Sequence, residues 1–152
     1  MNIGIVGAEA AKFTPTTEAA AIEIIKSLCT PGSTIVSGRC HLGGIDVWAE
    51  NIAIQLQLST QIFPPKELNW ARGYKPRNLQ IARASDQVHV IVVETLPPDY
   101  YGMRFKSCYH CGAKRWAHVK SGACWTAIQA QRMGKPAFWH IIAADGRLLD
   151  NV

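Results

Sequence analysis

Several features are missing from the 152-residue sequence, and their absence narrows the classes of protein to which it can belong. No stretch of uncharged apolar residues approaches the roughly 18 that a transmembrane helix needs, so we expect no membrane span. The N-terminus lacks the basic segment and the long apolar run of a secretory signal, which makes a cytoplasmic protein the default expectation. Internal repeats and low-complexity tracts are also absent.

The overall composition is that of a folded chain. Of the residues, 48% are apolar and 18% are charged, which allows a core to be buried and excludes wholesale disorder. The length fits one compact domain and is too short for two ordinary ones. We therefore expect residues 1–152 to form a single domain.

Acidic residues are scarce, with 11 Asp and Glu against 16 Lys and Arg, which gives a formal net charge of +5. The excess is concentrated in residues 66–120, which hold ten basic and four acidic residues. A basic centre favours an anionic ligand such as a nucleotide or a nucleic-acid strand. The alternative interpretation is a solvated basic surface that keeps the protein soluble.

The five cysteines are an odd number, and together with the missing secretory signal this argues against a disulfide framework. Cys108 and Cys111 are separated by two residues and followed by Gly112, a turn typical of zinc knuckles, in which two thiolates hold one ion. His118 and Cys124 are the nearest further donors that would complete a tetrahedral site. The rival donors are His110, Cys40 and His41.

A structural zinc ion held by these residues would explain how the long segment that contains them stays ordered. A catalytic zinc is less favoured, because Cys-rich sites are usually closed and no Glu follows a ligand His as it does in zinc deaminases. A second Cys-x-x-Cys motif is absent, so reduced free thiols and a redox dithiol stay open as alternatives.

Strand-like and helix-like segments alternate along the chain. The predicted strands are residues 2–6, 34–37, 60–63, 87–93 and 136–142, with 145–149 as a sixth. The predicted helices are residues 14–28, 45–56, 77–84 and 123–133. This alternation predicts an α/β domain with a mostly parallel sheet of five to six strands.

Three segments give the clearest signals. The helix at 45–56 has one apolar stripe at the 3.6-residue period, formed by Ile45, Trp48, Ala49, Ile52, Ala53 and Leu56. The run at 87–93 is continuous and β-branched, which is typical of a strand covered on both faces. Thr14 followed by Pro15 predicts the N-cap and the first position of the first helix.

Ligands of parallel α/β sheets bind beyond the carboxyl ends of the strands, at the point where the strand order reverses. Three polar or glycine-containing loops are expected there, at residues 7–14, 38–44 and 94–122. The last loop is about 28 residues long, which is too long for an idle connection. We expect it to be functional, pinned by a metal ion, or disordered.

The segment from Ser37 through Gly38 and Arg39 to Gly44 ends a predicted strand and opens a helix. Backbone N–H groups at a helix N-terminus suit a phosphate, and Arg39 could add a bidentate contact. Asp46, in the first turn, could cap the helix or meet a ribose hydroxyl. The alternative is a strand–helix turn that uses glycine for backbone freedom.

Two further helix starts offer polar groups to the same crevice. Arg77 and Asn78 precede the fourth strand, and a solvated helix start is the alternative there. Ser121, Gly122 and Thr126 form a second N-terminus that suits an oxyanion, with ordinary capping by Ser121 as its alternative.

Taken in order, four motifs of this chain resemble the SLOG superfamily, and most closely its DNA-processing protein A (DprA/Smf) family. The matching segments are Ile5-Val6-Gly7, Ser37-Gly38 with Gly44-Ile45-Asp46 and Ala49, Arg77-Asn78 with Ala84-Ser85-Asp86, and Ser121-Gly122 with Thr126-Ala127. Order and spacing agree over about residues 2–142, apart from an extra residue before Gly44 and a long Cys-rich insertion at 94–121 after the fourth strand. The resemblance implies a three-layer αβα, Rossmann-like, doubly wound fold, a phosphate-binding crevice and a homodimer.

A more distant resemblance is to the LOG (lysine-decarboxylase-like) phosphoribohydrolases, which hydrolyse the N-glycosidic bond of nucleoside monophosphates. Arg77 matches an Arg of that family, and Thr126 matches a Thr of its glycine-rich loop. Gln129 stands where the family has its catalytic Glu, and Gln cannot act as a general base. Whether the protein is an enzyme is therefore left open, with Glu9 and Glu94 as the acids that could substitute.

These observations predict that the protein binds a nucleotide or a nucleotide-derived ligand, with phosphate held at glycine-containing helix N-termini and by Arg39 and Arg77. The expected ligand-binding residues are Gly7, Ser37, Gly38, Arg39, Gly44, Asp46, Arg77, Ser121, Gly122 and Thr126. No catalytic residue is assigned, and the metal ligands are expected to be Cys108, Cys111, His118 and Cys124.

A module that binds single-stranded nucleic acid is the alternative, because aromatic residues such as Trp70 and Tyr74 accompany the basic centre and could stack bases. A third hypothesis is nucleotide cleavage of the phosphoribohydrolase type. His89 and His140 fall in predicted strands, and we expect them to be buried and hydrogen-bonded rather than catalytic.

Overall fold

The computed structural model describes residues 1–104, 108 and 122–149. In these residues the strands are β1 (Asn2–Gly7), β2 (Thr34–Ser37), β3 (Ser59–Ile62), β4 (Gln87–Val93), β5 (Ala137–Ile142) and β6 (Leu148–Leu149). The helices are α1 (Pro15–Leu28), α2 (Ile45–Gln55), α3 (Lys75–Ala84) and α4 (Gly122–Arg132).

The strands form one sheet in the order β3-β2-β1-β4-β5-β6. All neighbouring strands are parallel except β6, which runs antiparallel to β5. The predicted α/β domain with a mostly parallel sheet is therefore confirmed, and its sixth strand is present. Most of the predicted Cys-rich insertion at 94–121 lies outside the described residues.

The helices cover both faces of the sheet. A Cβ on Gly7 would contact Ile45 of α2, whereas a Cβ on Gly4 would contact Ser85, which follows α3. Because residues an odd number apart on a strand point to opposite faces, α2 and the end of α3 lie on opposite sides of β1. Helix α1 packs on α2, and α3 packs on α4, which gives a three-layer, Rossmann-like arrangement.

Local sequence explains two of these elements directly. Thr14 caps α1 as predicted: its hydroxyl accepts from the Thr17 backbone N–H at 3.1 Å, and the Thr17 hydroxyl accepts from the Thr14 N–H at 2.8 Å. In β4, all residues from Val88 to Val93 are buried, as expected for a strand covered on both faces.

Two short turns fall between the predicted strands and helices. Residues Ala10–Lys12 form a single 3-10 turn after β1, and Trp70–Tyr74 form a π-helical turn that runs directly into α3. The Asn69 side chain accepts from the Arg72 N–H at 2.8 Å and so begins the second turn. Both turns end beside the carboxyl edge of the sheet, where they add side chains to a cavity.

In the part of the chain that the structure describes, none of the helices has both the length and the apolar character needed to cross a bilayer.

Candidate functional site

A cavity of about 500 Å³ opens at the carboxyl ends of β1 and β2. It lies beside the boundary between β1 and β4, from which successive strands lead away in opposite directions, the usual ligand position in such sheets. The two turns described above and the starts of α3 and α4 close its sides. Its lining residues are Val6, Gly7, Ala8, Glu9, Lys12, Cys40, Leu42, Asp46, Trp70, Tyr74, Arg77, Asn78, Gly122 and Ala123.

Arg77, on the first turn of α3, is the cationic centre of this cavity and is only 6% exposed. Its Nη1 donates to the carbonyl oxygen of Gly38 and, at 3.5 Å, to that of Phe63. Its Nε donates to Oδ1 of Asn78 at 2.7 Å. The guanidinium also lies over the Tyr74 ring, with 5.5 Å between Cζ and the ring centroid. Arg77 therefore ties the ends of β2 and β3 to α3 while it lines the cavity.

Asp46, on the first turn of α2, is the buried acid opposite Arg77. Its Oδ2 lies 3.8 Å from Nη1 of Arg77. Burial raises the pKa of Asp46 to about 6, although the Arg77 charge and the backbone N–H groups of Cys40 and Gly7 act in the opposite direction. The carboxylate thus serves the ion pair and the helix start, and it changes protonation in a mildly acidic range.

Some predicted ligand residues lie at the cavity and others do not. Gly7, Asp46, Arg77 and Gly122 line it. Gly38 and Gly44 do not, and each serves packing: a Cβ on Gly38 would collide with Nη1 of Arg77. Ser121 lies outside the described residues.

Three predicted polar side chains do not line the cavity, although the Ser37 hydroxyl also interacts with the Asp46 carboxylate, which does. The buried hydroxyl of Ser37 donates to the Ile5 carbonyl oxygen at 2.6 Å, and that of Thr126 donates to the Gly122 carbonyl oxygen at 2.9 Å. Arg39 forms a two-pronged ion pair with Glu50, with an Nη2–Oε2 distance of 2.6 Å. These interactions stabilise strand and helix ends, and none of the three residues lines the cavity.

The structure adds groups to which the sequence patterns assign no role in ligand binding. Lys12 lines the cavity from the 3-10 turn after β1 and Leu42 from the loop after β2, and neither belongs to a recognisable motif. The available signal is positional, because both residues follow a predicted strand at the carboxyl edge of the sheet. Gln129 is on α4 but is not among the lining residues. Within the described residues, the acidic side chains that line the cavity are Glu9 and Asp46.

Glu9 joins two cavities. It lines the cavity described above and a second one of about 550 Å³, which is also lined by Phe13 and Tyr100. The Tyr100 hydroxyl donates to Oε1 of Glu9 at 2.8 Å. Burial and this carboxylate raise the pKa of Tyr100 to about 12, so the phenol stays a hydrogen-bond donor at neutral pH.

The predicted zinc site is only partly covered by the structure. Cys108 and Cys124 are both buried, as ligands of a closed structural site are. Cys111 and His118 lie outside the described residues, as does the rival donor His110. Within the described ranges, no group of three or more His, Cys, Asp or Glu side chains is arranged to hold a metal ion. The four-ligand zinc site therefore stays a prediction.

His89 and His140 form a hydrogen-bonded pair across β4 and β5, away from the cavity. The Gln87 amide nitrogen lies 2.9 Å from Nε2 of His89, and Nδ1 of His89 lies 2.9 Å from Nε2 of His140. Because the Gln87 amide donates to Nε2 of His89, the His89 ring carries its proton on Nδ1 and donates from there to Nε2 of His140. Both histidines are hydrogen-bonded within the sheet as expected; His89 is buried, whereas His140 is only partly buried.

Acidification is expected to destabilise the fold through this pair. Burial and the His140 charge lower the pKa of His89 from 6.5 to about 4. The unfolded chain therefore takes up the proton first as the pH falls, so the contribution is complete above pH 6.5 and is lost toward pH 4. We expect this pair to account for a loss on the order of 2 kcal/mol between pH 7 and pH 4.5, measured by urea unfolding as the difference between the wild-type chain and a variant without His89, because protonation of the buried Asp46 acts in the opposite direction.

The variant His89→Gln should lose less stability than the wild-type chain as the pH falls from 7 to 4.5. The variant His41→Gln should show the same dependence of stability on pH as the wild-type chain. His41 is the matched control because its Nδ1 lies 3.0 Å from the exposed Tyr74 hydroxyl, outside the sheet. An equally steep dependence in His89→Gln would assign the acid sensitivity to other groups.

No protein-family model matches this chain, and no curated protein sequence matches it. The assignment of a function therefore rests on the geometry of the cavity.

Proposed function

We propose that the protein binds a nucleotide or a nucleotide-derived ligand in the 500 Å³ cavity, with the phosphate placed at Arg77. The proposal rests on one nitrogen atom, Nη2 of Arg77. Nε and Nη1 of Arg77 are engaged, whereas Nη2 makes no hydrogen bond in the described part of the chain. The only buried side-chain nitrogen or oxygen found there without a partner is Nε1 of Trp139. Nη2 of Arg77 is therefore accessible, and the cavity is the space that Arg77 lines.

The start of α4 supports the same placement of an anion. Gly122 and Ala123 line the cavity at the N-terminal end of this 11-residue helix. The first N–H groups of a helix lack intrahelical acceptors and carry a partial positive charge, which favours a phosphate. A guanidinium nitrogen and a helix N-terminus thus face one space.

Aromatic side chains support the nucleotide part of the proposal. Trp70 lines the cavity while 41% exposed, and its ring is held edge-on by Trp125 with 5.2 Å between centroids. Tyr74 lines the cavity beside it, under the Arg77 guanidinium. Flat, fixed rings next to a phosphate position can stack a base.

Calorimetry with the four common nucleoside monophosphates and their parent nucleosides tests this proposal. We expect at least one monophosphate to bind, and its nucleoside to bind at least tenfold more weakly, the scale of a lost charge-assisted hydrogen bond. Equal affinity for nucleoside and monophosphate, or no binding of any monophosphate, would contradict the proposal.

A matched pair of variants locates the binding. Leu42 and Ile54 are similarly exposed, but only Leu42 lines the cavity. We expect Leu42→Glu to weaken monophosphate binding about fivefold, since one added charge near a phosphate costs about 1 kcal/mol in a solvated setting. Ile54→Glu adds the same charge on the outer face of α2 and should leave the affinity unchanged.

Single-stranded nucleic acid is the second candidate ligand, because the exposed residues Arg72 and Lys75 lie on either side of Tyr74 in the sequence, within five residues of Trp70. For this function, oligonucleotide affinity should rise with strand length and fall steeply with added salt. A mononucleotide site should show neither trend. The resemblance to the DNA-processing protein A family fits both candidates, and the predicted homodimer stays a prediction.

A further inference from the structure

The cavity has a second cationic side chain, that of Lys12. Lys12 ends the 3-10 turn after β1 and is partly buried where it lines the cavity. In the described ranges its amine makes no hydrogen bond and no ion pair. By contrast, Lys26 pairs with Glu23 at 3.6 Å, and Nζ of Lys135 donates to the carbonyl oxygens of Ala82 and Arg83.

The surroundings of Lys12 favour its neutral amine. Burial lowers the pKa of Lys12, and the nearby charge of Glu9 offsets this only in part. A larger share of the side chain is therefore unprotonated near neutral pH than for a solvated lysine, and only the unprotonated amine is a nucleophile.

Glu9 provides a proton-transfer group in the same space. It directly precedes the turn that carries Lys12, and it lines the cavity. Its Oε1 accepts the Tyr100 hydroxyl, which fixes the carboxylate and leaves Oε2 without a hydrogen bond in the described chain. The cavity therefore combines a lysine, a fixed carboxylate and a position for an anion. These are the groups that an enzyme uses to react with a carbonyl compound.

We infer that Lys12 is a nucleophile that forms an imine with an aldehyde or ketone carried by a phosphate-bearing ligand. The amine nitrogen attacks the carbonyl carbon, and the carbonyl π electrons move to oxygen, which gives a carbinolamine. The carbon–oxygen bond then breaks, and the oxygen leaves as water with the two protons that the nitrogen gives up, one of them relayed by Glu9. The inference rests on the proposed function for the position of the phosphate.

Pyridoxal 5′-phosphate is the probe for this inference, because it combines an aldehyde, an aromatic ring and a phosphate. The full chain is incubated with the probe, reduced with sodium borohydride, and mapped by peptide mass spectrometry. We expect Lys12 to be labelled at probe concentrations at least about tenfold below those that label Lys26. Labelling of Lys12 that needs as much probe as Lys26 would overturn the inference.

Two variants and one further probe complete the test. Lys12→Arg keeps the charge but cannot form an imine, so the low-concentration label should disappear, whereas Lys26→Arg should retain it. Persistence of the label in Lys12→Arg would place the reactive amine elsewhere and overturn the inference. Pyridoxal, which lacks the phosphate, should need about tenfold more probe, and equal labelling by both probes would overturn the phosphate requirement.

Failure of the proposed function is measured separately, by calorimetry of nucleoside monophosphates on the unlabelled protein. A protein that binds a monophosphate but shows no preferred label at Lys12 keeps the proposed function and loses this inference.

Discussion

Replacing Arg77 with Ala is expected to lower the free energy of unfolding by about 3–5 kcal/mol, the cost of removing one partner of a buried ion pair. The variant leaves the Asp46 carboxylate buried without its counter-charge, and it removes the donor to the Gly38 and Phe63 carbonyl oxygens. Urea unfolding at pH 7 measures the loss.

The loss of stability caused by Arg77→Ala should be smaller in mild acid than at pH 7. Burial already raises the pKa of Asp46 to about 6, and removal of Arg77 takes away the charge that most opposes that rise. Because the folded pKa lies above the unfolded value of 3.8, the folded state binds the proton more tightly. Stability contributed by this group is therefore gained as the pH falls from 7 toward 4.

Asp46→Asn in the Arg77→Ala background is the control. A neutral amide costs less to bury than a lone carboxylate, so the double variant should recover about 2 kcal/mol at pH 7 and lose the part of the acid dependence that Asp46 causes. If the double variant is no more stable than Arg77→Ala, the lost hydrogen bonds to the backbone, rather than the unpaired charge of Asp46, account for the loss of stability.

Replacing Gly44 with Ala is expected to cost about 2–4 kcal/mol, from backbone strain and a steric clash. Gly44 is the N-cap of α2 with φ +87° and ψ −145°, a region that only glycine occupies readily. A Cβ there would lie 2.6 Å from the Ala10 nitrogen and would collide with the Ala8 carbonyl oxygen. The loops after β1 and β2 would have to separate, and these loops bound the cavity.

Gly43→Ala is the matched control for this prediction. Gly43 also has a positive φ of +73°, but a Cβ there would come no closer than 3.4 Å to the Ala10 side chain. We expect it to cost roughly 1 kcal/mol, the strain of a left-handed residue alone. Equal losses for the two variants, measured by urea unfolding, would mean that the close approach at Gly44 does not contribute.

The local elements could be predicted because their signals are local. The α2 stripe, the β-branched run of β4 and the Thr14–Pro15 start of α1 each depend on residues a few positions apart. The two turns that were missed, at Ala10–Lys12 and Trp70–Tyr74, are too short to show a period. The second depends on the Asn69 side chain and on close packing of Gly73 against the Glu67 backbone.

The candidate site could be predicted only in outline. Its place at the carboxyl edge of the sheet followed from the alternation of strands and helices, and the Arg77 motif led to its cationic centre. The Ser37, Arg39 and Thr126 side chains belong to the predicted set of ligand residues, but they do not line the cavity. Each motif correctly placed its residue at the end of a strand or the start of a helix, but a competing hydrogen-bond or ion-pair partner decides where the polar atom of that residue points.

By itself, the sequence determined the order and type of the main helices and strands, the mostly parallel sheet and the edge at which the cavity opens, because hydrophobic period and capping act within a few residues. Only the tertiary structure decided which polar groups are accessible. The Ile5 carbonyl oxygen that engages Ser37 is 32 residues away along the chain, and the Gly38 carbonyl oxygen that engages Arg77 is 39 away. Whether Nη2 of Arg77 and the Lys12 amine reach open space depends on such distant contacts, which form only when the layers pack.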